Sequence, residues 1–307
     1  MGVIKILPAG VNIPQEGVGI YYMKEVYLDY AAATPLDSRV KKAMEPYFLK
    51  EYGNPSSIHE KGRRAKEAVE GARHTLARIL HCKPGEIIFT SGATEADNIA
   101  ILGTVRTLNS GAKLRRKVHA ITAVIEHDAI LQSMKTLEKE GVEVTYLDVD
   151  EYGLVAPESV RSTLRSNTVL VSIGYANNEI GTIQPIAEIG KVIKEFRQQR
   201  KKPIAESRER EANEKIPFFH SDASQAAGFL DLKIEKLGVD LLTLNSGKGY
   251  GPKGVGCLLV RHGTEILPLA YGGGQEGGLR SGTENVPGIV GFAKAIEIAE
   301  EEKKRGF

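Results

Sequence analysis

Apolar runs of strand length recur along this chain, and several lack the in–out alternation of a half-exposed sheet. They are EIIFTS (Glu86 to Ser91), VHAITAVI (Val118 to Ile125), VEVTYLDV (Val142 to Val149), TVLVSIGYA (Thr168 to Ala176), PFFHSD (Pro217 to Asp222), DLLTLN (Asp240 to Asn245) and VGCLLV (Val255 to Val260). Strands covered by helices on both faces read this way, because neither face meets water. Helical patterns lie between them. From His59 to His81, the residues Ala65, Val69, Ala72, Leu76 and Ile79 fall three or four apart and form one apolar stripe. After His127, residues Ile130, Leu131, Met134 and Leu137 do the same, and Gly141 is placed to end that helix. This alternation predicts an α/β layered domain with a mainly parallel sheet.

The 307 residues carry a net charge of +2, with 41% hydrophobic and 26% charged residues. That balance describes a globular protein and gives no basis for nucleic acid or an anionic membrane as the main partner. No segment approaches the roughly 20 continuous apolar residues of a membrane span. The two cysteines, Cys82 and Cys257, are too few for a disulfide framework and suit a reducing, cytoplasmic setting. Residues 1–22 hold scattered Pro and Gly and no apolar signal core, and are expected to be a poorly ordered extension, with Met23 a natural start. The charged stretch 197–215, RQQRKKPIAESREREANEK, reads as a solvated insertion in the large domain.

In an open α/β sheet, ligands bind beyond the carboxyl ends of the strands. Unusual polar residues gather at those ends here. After EIIFTS, residues Ala93 and Thr94 open a helix whose free N–H groups suit a phosphate, or are simply an ordinary helix start. After VHAITAVI comes Glu126-His127-Asp128, where His127 is either a structural residue or a surface for a planar ring. After TVLVSIGYA come Asn177 and Asn178 in what can equally be a plain turn. Asp222 ends the next run, as a cap or a buried counter-charge, with Gln225 three residues on.

The last such end is the glycine-rich TLNSGKGYGPKGVG (Thr243 to Gly256). Its Gly249, Gly251 and Gly254 satisfy a dinucleotide fingerprint, but a strand follows where that motif needs a helix. Neither lysine is followed by Ser or Thr, so it is not a Walker loop. What remains is a loop presenting Lys248, either as a solvated amine or as a Schiff-base amine. A Schiff-base lysine, an Asp for a pyridinium nitrogen, a stacking His and a helix N-terminus for phosphate together compose a pyridoxal phosphate site.

The motifs VYLDYAAATP, YGNPSSIH, EIIFTSGATEADN, NNEIGTIQPI, HSDASQAAG, GKGYGPKGVG and GGGQEGGLRSGTENVPGIVG resemble those of cysteine desulfurases. These are fold type I pyridoxal phosphate enzymes of the class V aminotransferase group. The resemblance implies a three-layer large domain over residues 23–302, with a small-domain segment at about 23–37. Residues 303–307 would begin a C-terminal small domain that is otherwise missing. It also implies that Lys248 links pyridoxal 5'-phosphate covalently and acts as acid and base. His127 would stack on the ring, Asp222 would pair with its nitrogen, and Asn178 and Gln225 would contact its phenolic oxygen and surroundings. Ala93 and Thr94 would hold the phosphate, and Thr283 would reach the phosphate of a second subunit, which implies a homodimer. The reaction implied removes sulfur from L-cysteine, giving L-alanine and a persulfide for iron-sulfur cluster assembly or thiolation by way of an acceptor or scaffold protein.

The sequence departs from the family pattern in two places. Asn245-Ser246-Gly247 stands where Ser-x-His precedes the lysine, which predicts weaker cofactor retention, with Asn245 or Ser246 as substitutes. The part of the family pattern that carries the persulfide Cys and the carboxylate-binding Arg has no counterpart before Phe307. A fragment or split enzyme is therefore expected, with a non-catalytic scaffold subunit or another class V enzyme (selenocysteine lyase, aminotransferase) as the alternatives.

Overall fold

The computed structural model describes residues 4–6, 24–109, 118–200 and 216–305. The expectation for residues 1–22 lies outside these, apart from strand β1 (Ile4–Ile6), which pairs antiparallel with β2 (Lys24–Val26). The insertion expected at 197–215 is described only to Arg200.

All seven apolar runs are strands of one sheet: β3 (Ile87–Thr90), β4 (His119–Ala123), β5 (Glu143–Leu147), β6 (Thr168–Ser172), β7 (Phe218–Asp222), β8 (Leu241–Asn245) and β9 (Gly256–Val260). Their order across the sheet is β3-β9-β8-β7-β6-β4-β5. From β8 through β7, β6 and β4 to β5 the neighbours run parallel, while β9 runs antiparallel to both β3 and β8. The lone reversal has a local cause: β9 follows β8 through a tight loop too short for the crossover a parallel neighbour requires.

Missing alternation in the sequence means two cores. Phe218 and Phe219 are successive residues on opposite faces, and both are fully buried in separate apolar clusters. The same holds for Leu241 and Leu242, and for Leu258 and Leu259. One face is covered by helix α3 (Glu60–Leu80), by α8 (Ile186–Arg200) and by the final helix α10 (Val286–Lys304). The other is covered by α4 (Ala93–Asn98), a π-helical turn at Ile99–Gly103 and α6 (Asp128–Lys139). Truncating either phenylalanine to alanine removes about 3–5 kcal/mol, because both faces are close-packed.

Helix ends follow the local chemistry. His59 caps α3 at its start, and His81 ends it in the left-handed conformation. Beyond α6, Gly141 adopts a φ of +87°, as its sequence position requires. No helix begins at Asp222: residues 224–229 form turns, so its carboxylate caps a turn, accepting from the Ser224 N–H at 2.8 Å.

Candidate functional site

The carboxyl ends of β4, β6, β7 and β8 open on one cavity of about 650 Å³. Eight residues singled out from the sequence line it: Ala93, Thr94, His127, Asn178, Asp222, Gln225, Asn245 and Lys248.

Lys248 sits in a short 3-10 turn, Ser246–Lys248, directly after β8. Its Nζ donates to the carbonyls of Ala31 (2.7 Å) and Ala32 (2.9 Å), and the Gln225 amide donates to Ala31 O at 3.0 Å. The segment after β2 thus crosses the cavity mouth. It is fastened there by Thr34, whose N–H and hydroxyl donate to Gly247 O at 3.2 and 3.1 Å and whose Oγ1 accepts from Tyr250 N at 2.8 Å. Loop and segment form one unit. Gly256, which opens β9, allows a separate close approach: a Cβ there would lie 2.6 Å from Leu244 O and 3.0 Å from the Gly92 backbone.

His127 caps α6, its Nδ1 accepting from Ala129 N at 3.1 Å. That bond commits Nδ1 as an acceptor and leaves Nε2 as the ring nitrogen that can donate. A structural role, here the cap, and ring binding are compatible because the cap uses one ring nitrogen and leaves the face uncommitted. Asn177 and Asn178 divide their labour. Asn177 builds the loop, donating to Ile125 O at 3.0 Å and accepting from Glu179 N and Ile180 N, whereas Asn178 makes a single contact, to Glu179 Oε1 at 3.4 Å.

Burial raises the Asp222 carboxyl above its usual range, against hydrogen bonds from Ser224 and the charges of His127 and Lys248. Two further carboxyls share the carboxyl-end region and received no role from the sequence. Glu126 lines the cavity and accepts from Gly174 N at 2.9 and 3.1 Å; burial, aided by Asp222, pushes it up to about 8. Asp97, on α4, is fully buried; neither oxygen makes a hydrogen bond of ordinary geometry, and the Thr243 hydroxyl is the donor that bears on it. Its Oδ1 lies 3.6 Å from His220 Nε2, and burial, with the charge of Asp222 next, raises it far above the ordinary range. His220 is held neutral, lowered by burial to about 3, between Ser172 (2.9 Å) and Thr243 (3.1 Å). No sequence signal groups these residues, since they come from five elements that only the sheet order brings together.

Two expected residues lie elsewhere. Ser246 does not reach the cavity: it is fully buried, its hydroxyl has no partner, and a Cβ on Gly251 would meet that hydroxyl at 2.1 Å. Thr283 is exposed and lines a separate small cleft with Arg280 and Asn285. The loop leading to it is anchored by Glu276, which forms a buried bidentate pair with Arg73 (2.7 and 2.9 Å) and accepts from Phe89 N. Asn245 remains at the cavity, but its Oδ1 already accepts from Gly247 N at 3.2 Å.

The class-V aminotransferase family model matches residues 26–199 and 202–305. This chain belongs to that family. A cysteine desulfurase IscS from Dictyoglomus turgidum is 47% identical over 90% of this chain and 64% of its own length. A solved NifS-like protein superposes with a TM-score of 0.82 at 41% identity, covering 91% of this chain and 71% of that one. A solved structure of SspA in complex with cysteine gives 0.78 at 38% identity, covering 88% and 72%. The chain thus falls in the cysteine desulfurase branch, a pyridoxal phosphate-dependent group, and spans 64% of the length of its Dictyoglomus relative. Among the described residues, no helix is long and apolar enough to cross a membrane and no cluster of side chains has metal-ligand form.

Proposed function

We propose that the cavity binds pyridoxal 5'-phosphate and that the chain belongs to a cysteine desulfurase acting on L-cysteine. One observation carries this reading: an amine (Lys248), a desolvated carboxyl (Asp222), an imidazole (His127) and the first turn of α4 converge on one cavity. The donor set suits the group. A helix start with Ala93 and Thr94 offers N–H groups to a dianion, and the Ser224 hydroxyl, buried beside Asp222, lines the same cavity.

When bound, the cofactor supplies an electron-accepting ring. The chain's own groups then have distinct tasks. Lys248 holds the cofactor covalently and moves protons at Nζ, and it must first leave the Ala31 and Ala32 carbonyls that hold its amine. Asp222 holds a negative charge opposite the ring nitrogen, and His127 offers a ring face. Asn178 and Gln225 are polar neighbours for the ring oxygen. With Ser246 turned away and the Asn245 oxygen engaged, phosphate binding rests on α4, which supports the expectation of loose cofactor retention. The reading of Thr283 as a residue serving a second subunit fits its exposed place outside the cavity.

The sulfur-accepting thiol is not one of the two cysteines. Neither lines the cavity, and burial holds both thiols protonated, pushing Cys82 up to about 12 and Cys257 further.

The test is titration with pyridoxal 5'-phosphate. A visible absorbance band should form, be bleached by borohydride as the link is reduced to a stable secondary-amine adduct on the Lys248 peptide, and be absent in Lys248→Ala. An adduct spread over surface lysines would sink the reading.

A further inference from the structure

Strands β4 and β6 are parallel neighbours, but the chain leaves them toward opposite faces of the sheet: β4 leads into α6 on one face and β6 into α8 on the other. Such a switch point leaves a crevice beyond the carboxyl ends, because the loops that follow diverge. The backbone ladder between the two strands ends at Thr122 with Ser172. Past that pair, the β4 side carries His127 and the β6 side carries Asn178, and both residues line the cavity.

Side chains take over where the ladder stops. Thr122 Oγ1 donates to Ser172 O at 3.0 Å. Next, the Gly174 N–H donates to both carboxyl oxygens of Glu126, at 2.9 and 3.1 Å. Furthest out, the Asn177 amide donates across the crevice to Ile125 O at 3.0 Å. The rest of Asn177 is engaged in its own loop: Oδ1 accepts from Glu179 N (2.8 Å) and Ile180 N (3.1 Å), its N–H donates to Thr182 O (2.9 Å), and its carbonyl accepts from Gly181 N (3.1 Å). Asn178 is carried by that closed turn and keeps only the 3.4 Å contact to Glu179 Oε1. Ile125 stands two residues before His127, whose ring caps α6 through Ala129 N. One side chain therefore joins the turn that presents Asn178 to the strand end that presents His127.

We propose that Asn177 is a positioning residue that sets the width of the β4–β6 crevice, and with it the spacing between the His127 ring and the Asn178 amide. An amide suits both tasks, since its oxygen shapes the turn while its nitrogen spans the crevice. The tie stands on the protein alone; its consequence for a bound ring rests on the pyridoxal phosphate reading above.

Amide hydrogen exchange of the cofactor-free chain reads the tie. Asn177→Ser keeps a hydroxyl that can accept within the turn but is too short to reach Ile125 O, and Asn177→Asp keeps the full-length acceptor but has no donor. In Asn177→Asp the Glu179 and Ile180 N–H groups should stay protected, and in both variants the Gly174 and Ala129 N–H groups should exchange up to about tenfold faster, the scale of one net hydrogen bond. Gly174 and Ala129 unchanged in both would overturn the proposal and leave Asn177 as a turn residue. Should neither variant fold, the wild-type side-chain amides decide: protected Asn177 Nδ2 hydrogens beside freely exchanging ones on Asn178 support the tie, and equally fast exchange refutes it. With pyridoxal 5'-phosphate added, Asn177→Ser should weaken binding about fivefold or more. Arg197→Ala, which removes a pair with Asp240 at the amino ends of the strands, should leave that affinity unchanged. Equal weakening by both would overturn the positioning role. Absence of any band in the wild type would remove the cofactor reading, while the exchange measurement would still decide the tie.

Discussion

At the amino ends of the central strands, buried polar groups meet partners. Arg197 of α8 donates to Pro217 O, ahead of β7, and pairs with Asp240, whose carboxylate also accepts from Phe219 N at 2.7 Å. His119, at the start of β4, lies between Thr168 (2.9 Å) and Thr145 (2.8 Å). Toward the carboxyl ends the pattern thins: Asp97 has only the Thr243 hydroxyl bearing on it, Glu126 has one N–H, and Asp222 relies on Ser224 and the charges of His127 and Lys248. Glu126 and Asp222 are half-buried at the cavity where His119 and Asp240 are buried, so the two ends differ in exposure and in compensation. A paired buried charge is a structural element, whereas carboxyls held together without counter-ions cost stability and remain where a ligand can supply the missing charge.

The comparison can be broken most directly at Arg197. Arg197→Ala leaves Asp240 buried and unpaired, and should cost about 3–5 kcal/mol in chemical denaturation. It should leave the wavelength of any bound-cofactor band unchanged, and a shifted band would show that the two ends are not independent.

Histidine protonation has a somewhat smaller effect. Burial lowers His119 to about 4, so its neutral form belongs to the fold. The stability it contributes is present above the unfolded histidine value and is lost as pH falls through the native one. His119→Gln should flatten the stability loss between about pH 6.5 and 4, by up to about 3 kcal/mol, as read by denaturation across that range. An unchanged acid limb would show that His119 is not held neutral by its surroundings.

The smallest effect on the cofactor-free chain is expected at Asp222. Its carboxyl is raised by burial, so neutralising it in Asp222→Asn, with the Ser224 N–H still accepted, should raise stability at pH 8 in chemical denaturation. The same change should weaken pyridoxal 5'-phosphate by about tenfold or more, as expected for losing a charge-assisted bond to a ring nitrogen. A variant that loses stability and keeps affinity would place Asp222 with the structural groups.

Much of this arrangement is legible in the chain. Phe218-Phe219, Leu241-Leu242 and Leu258-Leu259 each require two apolar faces, so a sheet between helix layers follows from local pattern alone. Asp222, His127 and Lys248 are recognisable because each is a polar residue closing an apolar run, and runs in such a fold end at a cleft. Other assignments fail for a physical reason. Ser246 adjoins Lys248 in sequence, but the tight turn points its hydroxyl toward Gly251, away from the cavity. Asn177 and Asn178 look alike as neighbours and both line the cavity, yet one spends its amide on the loop while the other makes only a 3.4 Å contact to Glu179 Oε1.

The seven strands, the two-faced core and the set of polar residues at the strand ends were all present in the linear chain, because they depend on periodicity and on contacts between near neighbours. Three-dimensional packing was needed to run β9 backwards between β3 and β8, to lay residues 31–34 against the Lys248 loop, and to bring Asp97, Glu126 and Asp222 into one desolvated region. Electrostatic coupling depends on distance and burial. Both are set here by the crossing order of strands far apart in the chain, which no local pattern encodes.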